Sequence, residues 1–404
     1  MAEPGFLPYG RQVIEDDDIA AVAQALRGEF LTTGPRVEAF EAAFAERVGA
    51  KFAVACSNGT AALHLAMLAL DIQPSDVCVV PAITFAATAN CVRYQGGEVV
   101  FADVDRDTGL MTPQTLTEAL GRVGGRKLRA VLPVHLAGNA ADLPALQALA
   151  EGAGGMLVED ACHAVGTTLS VGNVRESIGD CRHSAMACFS FHPVKTMTTG
   201  EGGMVTTNDP ALAAALRRLR SHGIEREPAN FVDPALSLAA DGSANPWAYE
   251  MQALGYNYRL PDVLCALGLS QLAKLDRFVA RRRTLTALYR EAMAPLAPLV
   301  RLVQASEGCA PALHLLVALI DFEAAGVSRK QVMDALRARG VGTQVHYIPV
   351  HRQPYYQARY GPLDLPGAEA FYARCLSLPL FPAMDDADPT RVAQALAEVM
   401  GAAR

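Results

Sequence analysis

The passage Phe52-Ala53-Val54-Ala55-Cys56-Ser57-Asn58-Gly59-Thr60-Ala61-Ala62-Leu63 sets the fold of this chain. A five-residue apolar run of strand length passes through Ser-Asn-Gly-Thr into a helical pattern at 60–70. Outward from it, short apolar runs recur at 77–81, 98–101, 130–134, 156–159, 185–190 and 204–207. Helix-length segments, among them 143–151 and 210–221, separate them. Seven strands alternating with helices predict an α/β fold with an open, seven-stranded, mostly parallel sheet covered on both faces. Ligands of such sheets bind beyond the carboxyl ends of the strands.

Ahead of the sheet, 15–26 and 37–48 read as amphipathic helices joined by Phe30-Leu31-Thr32-Thr33-Gly34-Pro35. Beyond it, 225–246 is rich in Pro, Ala and Asp and reads as a long surface loop. A long helix at 261–288 then leads to a smaller α+β region with a strand at 313–320, a helix at 329–339 and a strand at 343–347. The expected division is an N-terminal arm at 1–35, a large sheet domain at 36–260, and a linking helix with a small C-terminal domain at 261–404. No internal repeat stands out.

The chain has 404 residues, 51% hydrophobic and 19% charged, with a formal net charge of -7. That is the composition of a chain with a buried core. Its 35 Lys and Arg are scattered, the densest run being Arg281-Arg282-Arg283, so no nucleic-acid footprint is expected. The longest clean apolar stretches, such as 312–320, fall short of the ~20 residues a membrane span needs. The start, with Glu15-Asp16-Asp17-Asp18 close behind it, lacks the pattern of a signal peptide. Nine cysteines without a CxxC pair read as reduced thiols of a cytoplasmic protein, and no metal site is expected.

A dinucleotide fold needs GxGxxG after a strand and opening a helix. The nearest match, Gly152-Ala153-Gly154-Gly155, follows a helix and enters a strand, which is the wrong polarity. No GxxxxGK[ST] loop is present. Ser57-Asn58-Gly59-Thr60 has the right polarity for an anion cup at a helix N-terminus, and equally suits an ordinary N-cap. Val158-Glu159-Asp160 puts carboxylates at the end of an apolar strand, where they need a cation or a ligand. Phe189-Ser190-Phe191-His192-Pro193-Val194-Lys195 puts a lysine just beyond the next strand. An amine, an anion cup and a carboxylate together suit pyridoxal phosphate, which requires a Schiff-base partner, a phosphate site and a group keeping its ring nitrogen protonated. Lys195, Gly59 with Thr60, and Asp160 would fill those positions, and Lys195 would also carry the proton during transfer.

With these residues in order, the chain resembles the DegT/DnrJ/EryC1/StrS sugar aminotransferases over nearly its whole length. The resemblance rests on 57–63, Glu159-Asp160-Ala161, Phe189-Ser190-Phe191 leading to Lys195, Glu201-Gly202-Gly203-Met204, and Gly255-Tyr256-Asn257-Tyr258-Arg259. It implies the fold type I architecture of pyridoxal-phosphate enzymes and a homodimer with shared active sites. It places Asn58 and Ser190 with Gly59 and Thr60 at the phosphate, Phe85 on the ring, His163 near its phenolic oxygen, and Asn257 at the phosphate of the neighbouring subunit's cofactor. Related sugar dehydratases carry His where Lys195 stands, so the resemblance implies transamination.

The wording of 160–164, 191–196 and 246–252 is most similar to the branch that aminates C4 of a UDP-linked 4-keto-6-deoxy-N-acetyl-hexosamine on the route to pseudaminic acid, with glutamate as donor. That branch implies sugar-nucleotide contacts from Tyr9, from Phe30, Leu31, Thr32 and Thr33, and from Gln344, Val345, His346 and Tyr347. Two alternatives stay open: an aminotransferase for another nucleotide-linked keto-sugar, such as GDP-4-keto-6-deoxymannose, and a non-catalytic cofactor-binding regulator. The chain departs from the family pattern at Ala185, at Leu315-Leu316, and across 171–182, which reads unlike the usual hairpin.

Overall fold

The computed structural model describes residues 5–401. All seven apolar runs form strands: β1 (Phe52–Cys56), β2 (Val77–Pro81), β3 (Glu98–Ala102), β4 (Leu128–Val131), β5 (Met156–Asp160), then, after a hairpin of β6 (Thr168–Val171) and β7 (Val174–Ser177), β8 (Met186–Ser190) and β9 (Gly203–Thr207). Across the sheet the order is β1-β9-β8-β5-β4-β2-β3. β8, β5, β4, β2 and β3 run parallel, and β9 alone is reversed, antiparallel to β1 and β8. The link from β8 to β9 therefore leaves and re-enters the sheet at the carboxyl edge, and Lys195 lies on that link.

Period-two alternation divides the core between the two faces. Val77 and Val79 of β2 join one apolar cluster, whereas Cys78 and Val80 join the other. The same alternation separates the carboxylates that end β5. Glu159 faces His135 Nε2 at 3.0 Å and Ser184 Oγ at 2.5 Å, away from Asp160.

The reversed strand begins at a glycine for a steric reason. A Cβ on Gly203 would stand 2.3 Å from the Asn58 carbonyl oxygen, against backbone that also starts the helix α3 (Gly59–Ala69). Gly203→Ala is expected to destabilise the protein by ~1–3 kcal/mol, the usual range for overpacking. Denaturant melts of the two proteins check this.

The smaller part holds an antiparallel sheet of Val300–Leu302, Leu316–Ile320 and Cys375–Leu378. The helices Leu275–Met293, Arg329–Ala338 and Asp388–Gly401 contribute to its core. Three expectations are corrected here. The long helix is two, Asp262–Ala273 and Leu275–Met293, broken at Lys274. Lys274 Nζ lies 2.5 Å from Asp17, 2.8 Å from the buried Asp18 and 3.3 Å from Glu15, so the break anchors the N-terminal helix.

The strand expected at 313–320 starts only at Leu316. Leu313 is in the left-handed region at φ 58°, and the buried Arg282 takes the carbonyls of Leu313 and His314, both at 3.2 Å. Finally, 343–347 forms no strand: of these residues Gln344 alone pairs, with Ser377. The irregular stretch 225–246 does carry two short helical turns, Pro228–Asn230 and Pro234–Ser237.

Among the described residues, no helix is long and apolar enough to cross a membrane, and no group of three metal-ligating side chains forms. All nine cysteines are free.

Candidate active site

A cavity of about 720 Å³ opens beyond the carboxyl ends of β1, β2, β5 and β8. β1 hands over to α3 there, and the helix start serves both readings of Ser57-Asn58-Gly59-Thr60. Asn58 Oδ1 caps α3 by accepting from the Ala61 N–H at 2.8 Å. The Gly59 and Thr60 N–H groups, in the first turn, have no intrahelical acceptor and face the cavity. A Cβ on Gly59 would lie 2.8 Å from Ser190 Cβ and 3.2 Å from Cys162 Sγ, so only glycine leaves this cradle open.

Asp160 closes β5 and is buried, with Oδ2 accepting from Thr88 Oγ1 at 2.6 Å and Oδ1 from the Cys162 N–H at 3.1 Å. Lys195 lines the same cavity, and burial lowers its ammonium pKa. Phe85, half exposed, stands at the mouth with its ring 5.9 Å from that of Tyr347.

Three buried histidines crowd the far wall. Burial, with Lys195 and His346 nearby, drives His163 well below the usual imidazole range. The neutral ring accepts the Ala137 N–H on Nδ1 at 3.3 Å, which leaves its proton on Nε2, 3.1 Å from Tyr347 Oη. Tyr347 thus accepts from His163 and keeps its own O–H to donate elsewhere. His314 packs on His163 with ring centroids 4.5 Å apart, and its Nδ1 has no partner among the described residues. His346 pairs with Ser377 Oγ at 2.8 Å and stands 5.4 Å, ring to ring, from Tyr9.

Chiefly by burial, the pKa of His346 is held down from 6.5 to about 4. A histidine with a depressed folded-state pKa binds fewer protons folded than unfolded, so its neutral form contributes fully above pH 6.5. That contribution is lost as pH falls toward 4. For His346 the loss is about 3 kcal/mol, an order-of-magnitude figure. Unfolding free energies should therefore fall between pH 7 and pH 4, and more shallowly in His346→Gln. Equal slopes in the two proteins would contradict this.

Of the expected residues, the cavity brings together Tyr9, Asn58, Gly59, Thr60, Phe85, Asp160, His163, Ser190, Lys195, His346 and Tyr347. It does not include Phe30, Leu31, Thr32, Thr33, Asn257, Gln344 or Val345. Phe30 and Leu31 are half exposed on the turn before α2 (Pro35–Val48), which Asp262 holds by accepting from the Gly34 N–H at 2.6 Å and the Arg36 N–H at 3.0 Å. Asn257 is exposed and bridges to Ser221. Gln344 is held by backbone bonds to Ser377. Thr88, Tyr258 and His314 were not singled out for the site from sequence. Tyr258 at least lay within a quoted motif, whereas Thr88 carries no signal of its own in the helix Ala86–Tyr94.

Residues 12–397 match the DegT/DnrJ/EryC1/StrS aminotransferase family. The chain belongs to that family. Among solved structures, Helicobacter pylori PseC, an aminotransferase involved in the biosynthesis of pseudoaminic acid, is 26% identical at a TM-score of 0.86, covering 98% of this chain and 100% of its own. DesV of S. venezuelae, solved in complex with a ketimine intermediate, is 31% identical at a TM-score of 0.82, covering 98% and 99%. DesI, solved in the presence of its TDP-sugar product, is 31% identical at 0.83, covering 99% and 94%.

Members of the DegT/DnrJ/EryC1/StrS family are pyridoxal-phosphate-dependent sugar aminotransferases, so this chain is an enzyme of that class. The site fits the cofactor: open N–H groups and a glycine cradle suit a phosphate, the buried Asp160 suits a protonated ring nitrogen, and the half-buried Lys195 suits the aldehyde.

Proposed function

We propose that the chain transfers an amino group from glutamate to C4 of a UDP-linked 4-keto-6-deoxy-N-acetyl-hexosamine, making a UDP-4-amino sugar for pseudaminic acid. The observation that carries this reading is the whole-length likeness to PseC, over a cavity lined by Lys195. The free cysteines are in keeping with work in the cytoplasm.

When bound, pyridoxal phosphate supplies the carbonyl carbon that receives the amine and a ring that draws electrons from the carbon losing its proton. The Gly59 and Thr60 N–H groups and the Ser190 hydroxyl bind its phosphate at the positive end of α3. Asn58 holds that turn in place through its cap. Asp160, fixed by Thr88 and the Cys162 N–H, keeps the ring nitrogen protonated. Phe85, at the cavity mouth beside Tyr347, would pack against the ring, and His163 would orient Tyr347 toward it. Lys195 Nζ would act as the acid–base group of the transfer, taking the proton from the donor's α-carbon. A lowered pKa leaves more of its amine neutral at physiological pH, as a base requires. Tyr9, His346 and Tyr347 face the sugar nucleotide.

Phe30, Leu31, Thr32, Thr33 and Asn257, outside their own chain's cavity, reach the neighbouring subunit's site in a homodimer. The strongly exposed Trp247, Met251 and Leu254 support such an interface. Gln344 and Val345 flank the sugar through the same segment as His346. One observation favours a second substrate class: identity to DesI, solved with a TDP-sugar product, is 31% against 26% for PseC.

Glutamate alone tests the donor half. It should bleach the visible band of the holoenzyme and release one 2-oxoglutarate per site. A band unchanged by glutamate, but bleached by another amino acid, would overturn the donor assignment.

A further inference from the structure

On another part of the surface, a second cavity of about 430 Å³ lies between the β6–β7 hairpin, the last turn of α2 and the helix Leu275–Met293. Its walls carry three guanidinium groups, Arg47, Arg175 and Arg283, with the hydroxyls of Thr168 and Ser177 and a single carboxylate, Asp276. Asp276 is taken: it pairs with Arg47 at 2.5 Å and points largely into solvent.

Arg175 and Arg283 have no carboxylate within ion-pair distance among the described residues. Arg283 is half-buried and Arg175 exposed, and each is tethered by hydrogen bonds to neutral acceptors. Arg283 donates from Nη2 to the Ala310 carbonyl at 2.8 Å and from Nε to the Pro311 carbonyl at 3.2 Å. Arg175 donates from Nε to Thr168 Oγ1 at 3.0 Å. Each fork is thus oriented by neutral acceptors, and its remaining N–H groups have no acceptor among the described residues. The two cations also repel: burial and then Arg175 lower the Arg283 pKa. In a chain of net charge -7, two tethered guanidinium ions on one cavity, whose single carboxylate, Asp276, is already paired with Arg47, suit an oxyanion.

We propose that this cavity is a binding site for a phosphate-bearing small molecule, its phosphoryl oxygens accepting from Arg175 and Arg283 and from the hydroxyls of Thr168 and Ser177. This site is separate from the amino-transfer cavity and shares no lining residue with it.

Isothermal titration of the cofactor-loaded enzyme at fixed ionic strength, with inorganic phosphate and with UDP as separate probes, tests the site. In Arg175→Gln/Arg283→Gln the affinity for the bound probe should fall about tenfold or more, as expected for lost charge-assisted hydrogen bonds. Loss confined to UDP assigns a nucleotide's phosphate, and loss with inorganic phosphate assigns the free ion. Either supports the site. Unchanged affinity for both probes overturns it. Should the double variant fail to fold, wild-type crystals soaked in tungstate decide: density between the two guanidinium groups supports the site, and none there overturns it.

Discussion

Lys195→Ala is expected to give a folded protein without the visible band of lysine-bound cofactor, slowed in amino transfer on the order of 10⁴-fold or more. It loses both the covalent partner and the proton carrier. The fold should survive because the amine is not a structural cation. No carboxylate lies within ion-pair distance of it among the described residues, and burial already disfavours its charge. Removing a poorly compensated buried charge is commonly neutral or favourable. The bend that carries residue 195 is held by its backbone N–H on the His192 carbonyl at 2.9 Å, which alanine keeps. Absorption spectra, single-turnover rates with glutamate and thermal melts check the three parts. A wild-type band in the variant would remove Lys195 from its assigned position.

Asp160→Asn is the second large effect. The amide is nearly the shape of the carboxylate and keeps one acceptor for the Cys162 N–H. Thr88 Oγ1, which also contacts Thr84 Oγ1 at 2.7 Å, can turn to accept from the new NH₂ group. Geometry is therefore retained and the negative charge is lost. Turnover should fall by ~10²–10³, in line with removal of a preorganised electrostatic partner. Cofactor binding, for which the Gly59, Thr60 and Ser190 cup is proposed, should weaken far less. A near-normal kcat would refute a ring-nitrogen role, whereas loss of cofactor without loss of kcat at saturation would make Asp160 a binding residue only.

Much of the sheet was legible because strands buried on both faces are short, continuous apolar runs. β1 and β2 were placed to the residue, and the other strands of the sheet within a few residues at their ends. Two of the misreadings sit at long-range polar contacts that local pattern does not show. Nothing near Lys274 marks a helix break, since neither Pro nor Gly interrupts the periodicity. At the break, Lys274 instead pairs with Glu15, Asp17 and Asp18 from the other end of the chain. Likewise Arg282, buried under the small sheet, holds the carbonyls that delay the strand to Leu316.

In the cavity, Asp160 could be singled out as a carboxylate ending an apolar strand, and Ser190 through the resemblance of its stretch to the family. Thr88 could not, because its link to Asp160 depends on how one helix packs beside β5. His314 likewise meets His163 only through tertiary folding, 151 positions apart in the sequence.

The measurement closest to the central claim is mass spectrometry of the products formed from ¹⁵N-glutamate and a panel of UDP-, GDP- and TDP-linked 4-keto-sugars. The predicted result is a labelled amine on the UDP-linked 4-keto-6-deoxy-N-acetyl-hexosamine, formed faster than on any other member of the panel. Label appearing preferentially on a GDP- or TDP-sugar would contradict the substrate assignment, and a product that loses a hydroxyl without gaining nitrogen would contradict amino transfer itself.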